Sequence, residues 1–354
     1  MLKHRAFPGR GPEVEARYER AAQWLQASIF GNELAAEWCR NNGIPLRKAA
    51  AEGIGTAGGF LVPVELARAI LDLRDLYGAF RRRARIWPMG SDHTEAPRHT
   101  GGSIAVGFIG EGAAAAETQA TIDQVGLTAR KLGALIRIST ELEEDSAPAI
   151  VDLIANEAAF ALAAKEDDCA FNGDGSSSFG RMYGLGQLVL DGAHAKAKVT
   201  AAAGHNTFLT LDSTDLSSLL AAVRASAIPN AAWFCSQTCL SQTFIRLAGG
   251  TGYLPMAESD GILTPHYLGF PVILTQKLPL VSTSLAGKVM LGFGDMYAAG
   301  LLGQRRGLTL ARSADRYLDQ DQVAILATER FHAVLHDLGD NSNTGSMAAL
   351  VGGA

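Results

Sequence analysis

The chain changes its hydrophobic rhythm several times along its length. From 118 to 140 apolar residues alternate with polar ones: Ile122, Val125, Leu127, then Leu132, Ala134, Ile136 and Ile138. A period of two predicts one long, half-buried strand. The spacing then becomes three and four, through Ile150, Val151, Ile154, Ala158, Ala161 and Leu162. That predicts a helix on which those residues form an apolar stripe. Asp145 or Ser146 suits its N-cap, Pro148 its first turn, and Asn172-Gly173-Asp174-Gly175 its stop. About 24 residues at 1.5 Å each make a rod of roughly 36 Å. Alternation returns over 299–312 and 322–337, where Val323, Ile325, Ala327, Glu329 and Phe331 recur in step. Between these lies an α/β region starting at Gly184. It holds a helix at 216–224 capped by Ser213 or Thr214, a strand at 231–235, and a helix at 236–247. Strands follow at 267–275, interrupted by Pro271, and at 289–293.

The first third of the chain is less regular. Residues 11–41 read as helix broken at Gly31, and 42–59 as a Gly- and Ala-rich arm. Phe60-Leu61-Val62-Pro63 reads as an edge strand or arm, 64–76 as helix, and 79–89 as extended chain. Residues 90–112 carry Gly90, Gly101, Gly102, Gly107, Gly110 and Gly112 around short apolar runs. They predict a long two-stranded hairpin that buries little by itself and needs something to lie on. At the other end, 347–354 reads as a tail of small residues, and no internal repeat is visible.

Composition narrows the function. The 354 residues are 47% hydrophobic and only 19% charged, as expected of a surface largely covered by neighbours or of a large core. A formal net charge of -5 does not suggest a nucleic-acid reader. The densest basic run, Arg81-Arg82-Arg83-Ala84-Arg85, reads as a solvated or interface-facing charge cluster. The four cysteines, Cys39, Cys169, Cys235 and Cys239, offer neither a zinc set nor a disulfide framework and read as reduced thiols. His332 and His336 lack the Glu of a metalloprotease helix, and the strand pattern around them sets them apart. Glu141, Glu143, Glu144 and Asp145 read as a charged helix start, whereas Asp167 and Asp168 sit unfavourably near a helix end. Gly55-Thr56-Ala57-Gly58-Gly59 is not a phosphate loop, and no Gly-x-Ser-x-Gly elbow is present. The chain is therefore expected to be no enzyme and to need no cofactor or metal. Without an 18-residue apolar run or an apolar leader in the first ten residues, no membrane span is expected, and assembly is expected inside a cell.

The order of several short motifs resembles the major capsid proteins of tailed bacteriophages, the phage capsid family with the HK97 fold. These are Gly58-Gly59-Phe60-Leu61-Val62-Pro63, Gly110-Glu111-Gly112, and Phe171-Asn172-Gly173-Asp174-Gly175 followed by Gly184-Leu185. Gly269-Phe270-Pro271-Val272 and Phe293-Gly294-Asp295-Met296-Tyr297 complete the set. The resemblance implies an α+β fold with an N-terminal segment and arm at 1–59 and the start of the matching region at 60–79. It implies an extended loop at 80–120, a peripheral domain at 121–183 and 300–338 with a spine helix, an axial domain at 184–299, and a tail at 339–354. It implies pentamers and hexamers of an icosahedral head around double-stranded DNA bound without sequence preference. Portal protein, a scaffolding protein or protease, and a cement protein are the implied partners. On this reading Arg81, Arg82, Arg83, Arg85, Trp87, Phe108 and Glu111 are candidate assembly residues. Some relatives weld subunits through a Lys-Asn bond, but 80–120 contains no lysine, so non-covalent contacts are expected. Some relatives also carry a longer N-terminal scaffolding region, so 11–41 is expected to be a short version or a separate scaffold to exist. The alternatives are a gene-transfer particle, an encapsulin-like compartment, and a soluble α/β enzyme.

Overall fold

The computed structural model describes residues 33–44, 60–61, 78–101, 121–139, 147–249, 254–259, 262–281 and 283–354, with single positions 20, 23, 27 and 108. In chain order the helices are α1 (Glu33–Asn41), α2 (Ala79–Arg83), α3 (Ala147–Asn172), α4 (Leu185–Leu190) and α5 (Ser213–Ala221). Then come α6, built of Gln237–Cys239, a π turn Leu240–Phe244 and Ile245–Leu247, and the short α7 (Met296–Ala299). The predicted helix at 64–76, the acidic cluster at 141–145 and most of 11–32 lie outside the described residues.

Two sheets organise the strands. The first contains β1 (Phe60–Leu61), β2 (Arg85–Pro88), β5 (Arg130–Ser139), β12 (Gly300–Tyr317) and β13 (Gln322–Leu335). Its long axis is the antiparallel pair β12–β13, with β5 on the far edge of β13. Along the outer edge of β12, β2 pairs in parallel at 301–304 and β1 in antiparallel at 311–312. Phe60-Leu61 is thus the edge strand that Pro63 predicts.

The second sheet has seven strands. These are β6 (Lys198–Thr200), β7 (Ala232–Cys235), β8 (Met256–Ser259), β9 (Ile262–Tyr267), β10 (Phe270–Leu274), β11 (Val289–Gly294) and β14 (Met347–Val351). Their order is β6-β14-β11-β7-β10-β9-β8. The predicted strand at 267–275 is β10 preceded by the turn of the β9–β10 hairpin. Leu268 and Gly269 both have positive φ (52° and 84°), which suits a tight two-residue turn. The seven strands lie between two cores. One holds Phe80, Phe171, Phe234, Met296, Leu302 and Phe331, and so joins both sheets. The other centres on Trp233, whose ring lies 4.2 Å from Phe293 and 5.5 Å from Phe244.

The expected small-residue tail at 347–354 is wrong. Met347–Val351 is buried throughout and pairs with β11 on one side and β6 on the other. Met347, Ala349 and Val351 face the first core, and Ala348 and Leu350 the second. With both faces buried no alternation appears in the sequence, which is why a fully buried strand looked like a featureless tail.

The helix α3 runs for 26 residues and ends at Asn172, as the stop signal predicts. Its turn into the next segment needs glycine at Gly173 and Gly184. A Cβ on Gly173 would lie 2.5 Å from the Cys169 carbonyl oxygen, and one on Gly184 2.6 Å from the Gly173 nitrogen. The cap of α5 is Asp212, one residue before the expected Ser213. Its carboxylate accepts the Thr214 and Asp215 N–H groups, and Asp215 completes a capping box.

Two readings of the region 79–140 also need correction. Residues 79–83, expected to be extended, form α2, a short helix ahead of β2. The long strand expected over 118–140 is two strands, β4 (Thr121–Thr128) and β5, broken at the buried Ala129. β4 pairs with β3 (His93–Gly101), and β5 with β13, so one apolar rhythm runs through two different partnerships.

Candidate assembly region: the hairpin and its root

Among the described residues the pair β3–β4 is a two-stranded sheet with no third strand. Its strands are 93–101 and 121–128, wider apart in sequence than the expected hairpin at 90–112. One of its faces is not bare. Ala96, Val125 and Leu127 are buried, and Ala96 and Leu127 pack with Met89, Ala129, Leu301 and the half-buried Trp87. Arg98 ties this face down by donating to Asp123 across the hairpin at 2.7 Å and to the His336 carbonyl oxygen at 2.8 Å. The ion pair with Arg98 holds the Asp123 carboxyl below its usual range. The root of the hairpin therefore lies on β12 and β13 of its own chain.

The chain enters this root through α2. Its first two free N–H groups, on Ala79 and Phe80, donate to Asp167 of α3 at 3.0 and 2.9 Å. Asp167 is thus a helix cap supplied from another element. The neighbouring Glu166 receives Arg81 in a two-point ion pair, with Nε to Oε2 at 2.7 Å. The side chains are 3% and 0% exposed, so the pair is fully dehydrated. Burial pushes the Asp167 carboxyl up to about 6, against the two backbone donors that favour its charge.

The predicted site residues are thereby sorted. Arg81 is buried and belongs to the anchor. Arg82 donates to the Gly78 carbonyl oxygen at 3.2 Å, and Arg83 to Ser259 of β8 at 2.6 Å. Arg85 is exposed, with its guanidinium 5.2 Å from the ring of Trp87. Phe108 is fully exposed, and Glu111 lies outside the described residues. Sequence reasoning missed Glu166 and Asp167 as partners of this run. The signal was available: the buried positions Ala158, Ala159, Leu162 and Ala163 continue at spacings of four into Glu166 and Asp167. Two carboxylates on the apolar face of a helix call for buried partners.

Other clusters of polar groups have local explanations. His205, Asp212 and Asp215 bring ligating atoms within 4.8 Å of one another. Asp215 accepts from the Ala202 N–H at 3.0 Å and the Asp212 N–H at 3.1 Å and bonds His205 at 2.6 Å, so the group serves to start α5. Burial disfavours the Asp215 charge, but these bonds outweigh it and hold the carboxyl below its usual range. All four cysteines are buried and unbridged. Among the described residues no helix is long and apolar enough to cross a membrane.

A two-stranded hairpin rooted on the sheet of β12 and β13, beside a second compact α/β unit, is an architecture found in known proteins. The profile of the phage capsid family matches residues 58–337. The chain belongs to the phage capsid family. Solved structures agree on the fold. The capsid of an empty GTA particle has a TM-score of 0.60 at 19% identity, covering 91% of this chain and 99% of that one. The capsid of the native GTA particle gives 0.56 at 19% identity, covering 87% and 99%. A protein of Mycobacterium phage Cain gives 0.53 at 16% identity, covering 78% and 90%. Curated protein sequences yield no match. The mixed helix-and-sheet architecture is that of HK97-type capsids, and the chain is a capsid protein of this family.

Proposed function

We propose that the chain builds the wall of an icosahedral container as rings of five and six copies around double-stranded DNA. The observation that carries this reading is the pair β3–β4, a two-stranded sheet outside both larger sheets, with His93, Glu95 and Pro97 of its outer face exposed. Two strands are marginal alone, so the hairpin beyond its root requires a surface that another subunit can supply. Rings of five and six are closed heterologous assemblies, in which each copy offers one surface and receives another. In this scheme the sheet of β12 and β13 with α3 is the peripheral domain, the seven-stranded sheet is the axial domain, and β3–β4 is the extended loop. Assembly takes place in the host cytoplasm, with a portal protein and a scaffolding protein or protease as partners and a cement protein where one is used. DNA is contained without sequence-specific grip, in keeping with a chain of net charge -5. A gene-transfer particle is the second reading, favoured by the GTA capsid, whose chain is covered to 99%.

Electron microscopy and sedimentation of the purified protein test this reading. Closed shells or rings of five or six are expected. A homogeneous small oligomer under every assembly condition tried would overturn it. Nuclease-protected DNA in particles made in the host would support a DNA container, and an empty or protein-filled shell would speak against one.

A further inference from the structure

The sheet of β5, β12 and β13 has one face turned away from α3. Register identifies it. Lys131, Arg330 and Arg306 stand side by side across the three strands, as do Leu135, Leu326 and Ala311, and then Arg137, Ala324 and Ser313. Residues on the other face, such as Leu132 and Phe331, pack with Phe171 of α3. Lys131, Leu135, Arg137, Arg306 and Arg316 are exposed, and Arg330 is half-buried.

These cations are held in place. The Arg137 and Arg316 guanidinium groups lie 5.4 and 5.5 Å from the ring of Tyr317. Arg306 donates to the Thr328 hydroxyl at 3.0 Å. Arg330 and Arg305 lie 2.9 and 3.6 Å from Asp92, which neutralises one end of the face. From Lys131 to Arg137 is six residues of strand, roughly 20 Å at about 3.4 Å each. The result is two groups of cations flanking a shallow apolar row.

The charge is out of keeping with the whole chain. The three strands contain eight Lys and Arg against two carboxylates, Asp315 and Glu329, whereas the chain carries -5. Glu329 is buried on the α3 side. The balancing negative charge is concentrated in sequence. Residues 141–157 hold Glu141, Glu143, Glu144, Asp145, Asp152 and Glu157 with no Lys or Arg. That stretch leads into α3, which packs on the opposite face of the sheet. Asp152 and Glu157 belong to α3 itself, across the sheet from these cations.

We propose that this cationic face receives a second copy of the chain through the acidic stretch that opens its α3. The contact is heterologous: each copy gives its acidic helix start and receives another's on its sheet. Charge complementarity sets the register and speeds encounter, and the row Leu135–Leu326–Ala311 supplies the apolar centre. The proposal rests on the reading of the chain as a shell subunit and adds which surfaces meet.

The test combines Lys131→Glu, Arg137→Glu and Arg306→Glu in the full chain. All three positions are exposed, so the far-UV circular dichroism and melting of the subunit should stay close to the parent's. A Gln version of the same triple guards against a folding defect from reversal. Assembly is read by sedimentation and electron microscopy at low and high salt. Like charges set face to face cost several kcal/mol, so the subunit concentration needed for assembly should rise roughly a hundredfold, less for the Gln triple. Parent assembly should weaken with salt. Adding Glu143→Lys, Glu144→Lys and Asp145→Lys to the reversed triple should restore it. Reversed subunits that assemble like the parent would overturn the proposal, and so would failure of the second reversal to restore assembly. Loss of duplex-DNA binding with unchanged assembly would assign the face to nucleic acid and overturn it too. Parent protein that never assembles would instead overturn the shell reading on which it rests.

Discussion

At the scale of residues, the joint between α3 and α2 depends on two adjacent carboxylates with different tasks. Glu166 neutralises Arg81 where neither side chain meets water. Replacing Glu166 with Ala leaves a buried cation, a loss of about 3–5 kcal/mol that urea unfolding should read. Asp167 caps α2, and Asp167→Asn keeps a single acceptor oxygen for two donors, a loss of about 1–3 kcal/mol. Its titration gives a second signature. The carboxyl is raised from 3.8 to about 6, so between those values the folded chain binds more protons than the unfolded one. Stability from this group is full below the lower value and falls as pH rises through the upper, by about 3 kcal/mol in all. Asp167→Asn should flatten that slope. An unchanged slope in the variant would mean another group carries it. The role of Glu166 and Asp167 was half legible in the sequence. Their place on the helix stripe follows from counting, but the partner run at 79–83 is 83 or more residues away, and α2 is too short to reveal a helical period.

At the scale of elements, the chain was legible wherever one face of an element meets water. The alternation of β5 and the stop of α3 declare themselves in that way. It was illegible where both faces are buried, as in β14, or where a rhythm continues while its partner changes, as from β4 to β5. The burial of β14 leads to a direct expectation. Truncation after Ser346 removes the strand between β6 and β11 and the residues common to both cores. The shortened chain should be insoluble or lack a cooperative melt, whereas a tail would be dispensable. The hairpin root supplies an expectation of the opposite pH sign to Asp167. His332 lies beside Gly303, against which Leu127 of the hairpin packs. Its Nδ1 is buried with no hydrogen-bond partner among the described residues. Burial, then Arg130 and His93, push this imidazole down from 6.5 to about 4. The folded chain therefore binds fewer protons in that window. Stability is full above 6.5 and is lost as pH falls through about 4, on the order of 3 kcal/mol. Acid should loosen the hairpin root while it tightens the α2 joint. The protection factors of the β3 and β4 amides, taken against the intrinsic exchange rate at each pH, should fall between pH 7 and about 4, and His332→Leu should suppress the change. An equal fall in the variant would clear His332 of the effect.

At the scale of the whole molecule, the proposed function divides the hairpin between an inner and an outer role. The sequence predicts a segment at 90–112 that buries little, and removal of such a segment would leave the subunit intact. The structure moves the boundary. Ala96, Val125 and Leu127 are part of the subunit's own packing, so a deletion reaching into 93–101 would damage the body as well as any contact beyond it. The informative variant joins Gly101 to Thr121 through a short Gly-rich link and keeps both strands. The antiparallel register places Gly101 opposite Thr121, so the link has only to turn the chain around. Phe108, fully exposed on the single subunit, is removed with the tip. Urea unfolding of this variant should match the parent within about 0.5 kcal/mol, as the sequence expectation of a segment that buries little by itself requires. On the proposed reading closed shells should be absent, because the surface that one copy would extend to the next is gone. Sedimentation alongside the melt separates the outcomes. Normal shells would show that the root and the sheet faces suffice for closure, and a destabilised subunit would place part of the tip's burial within its own chain.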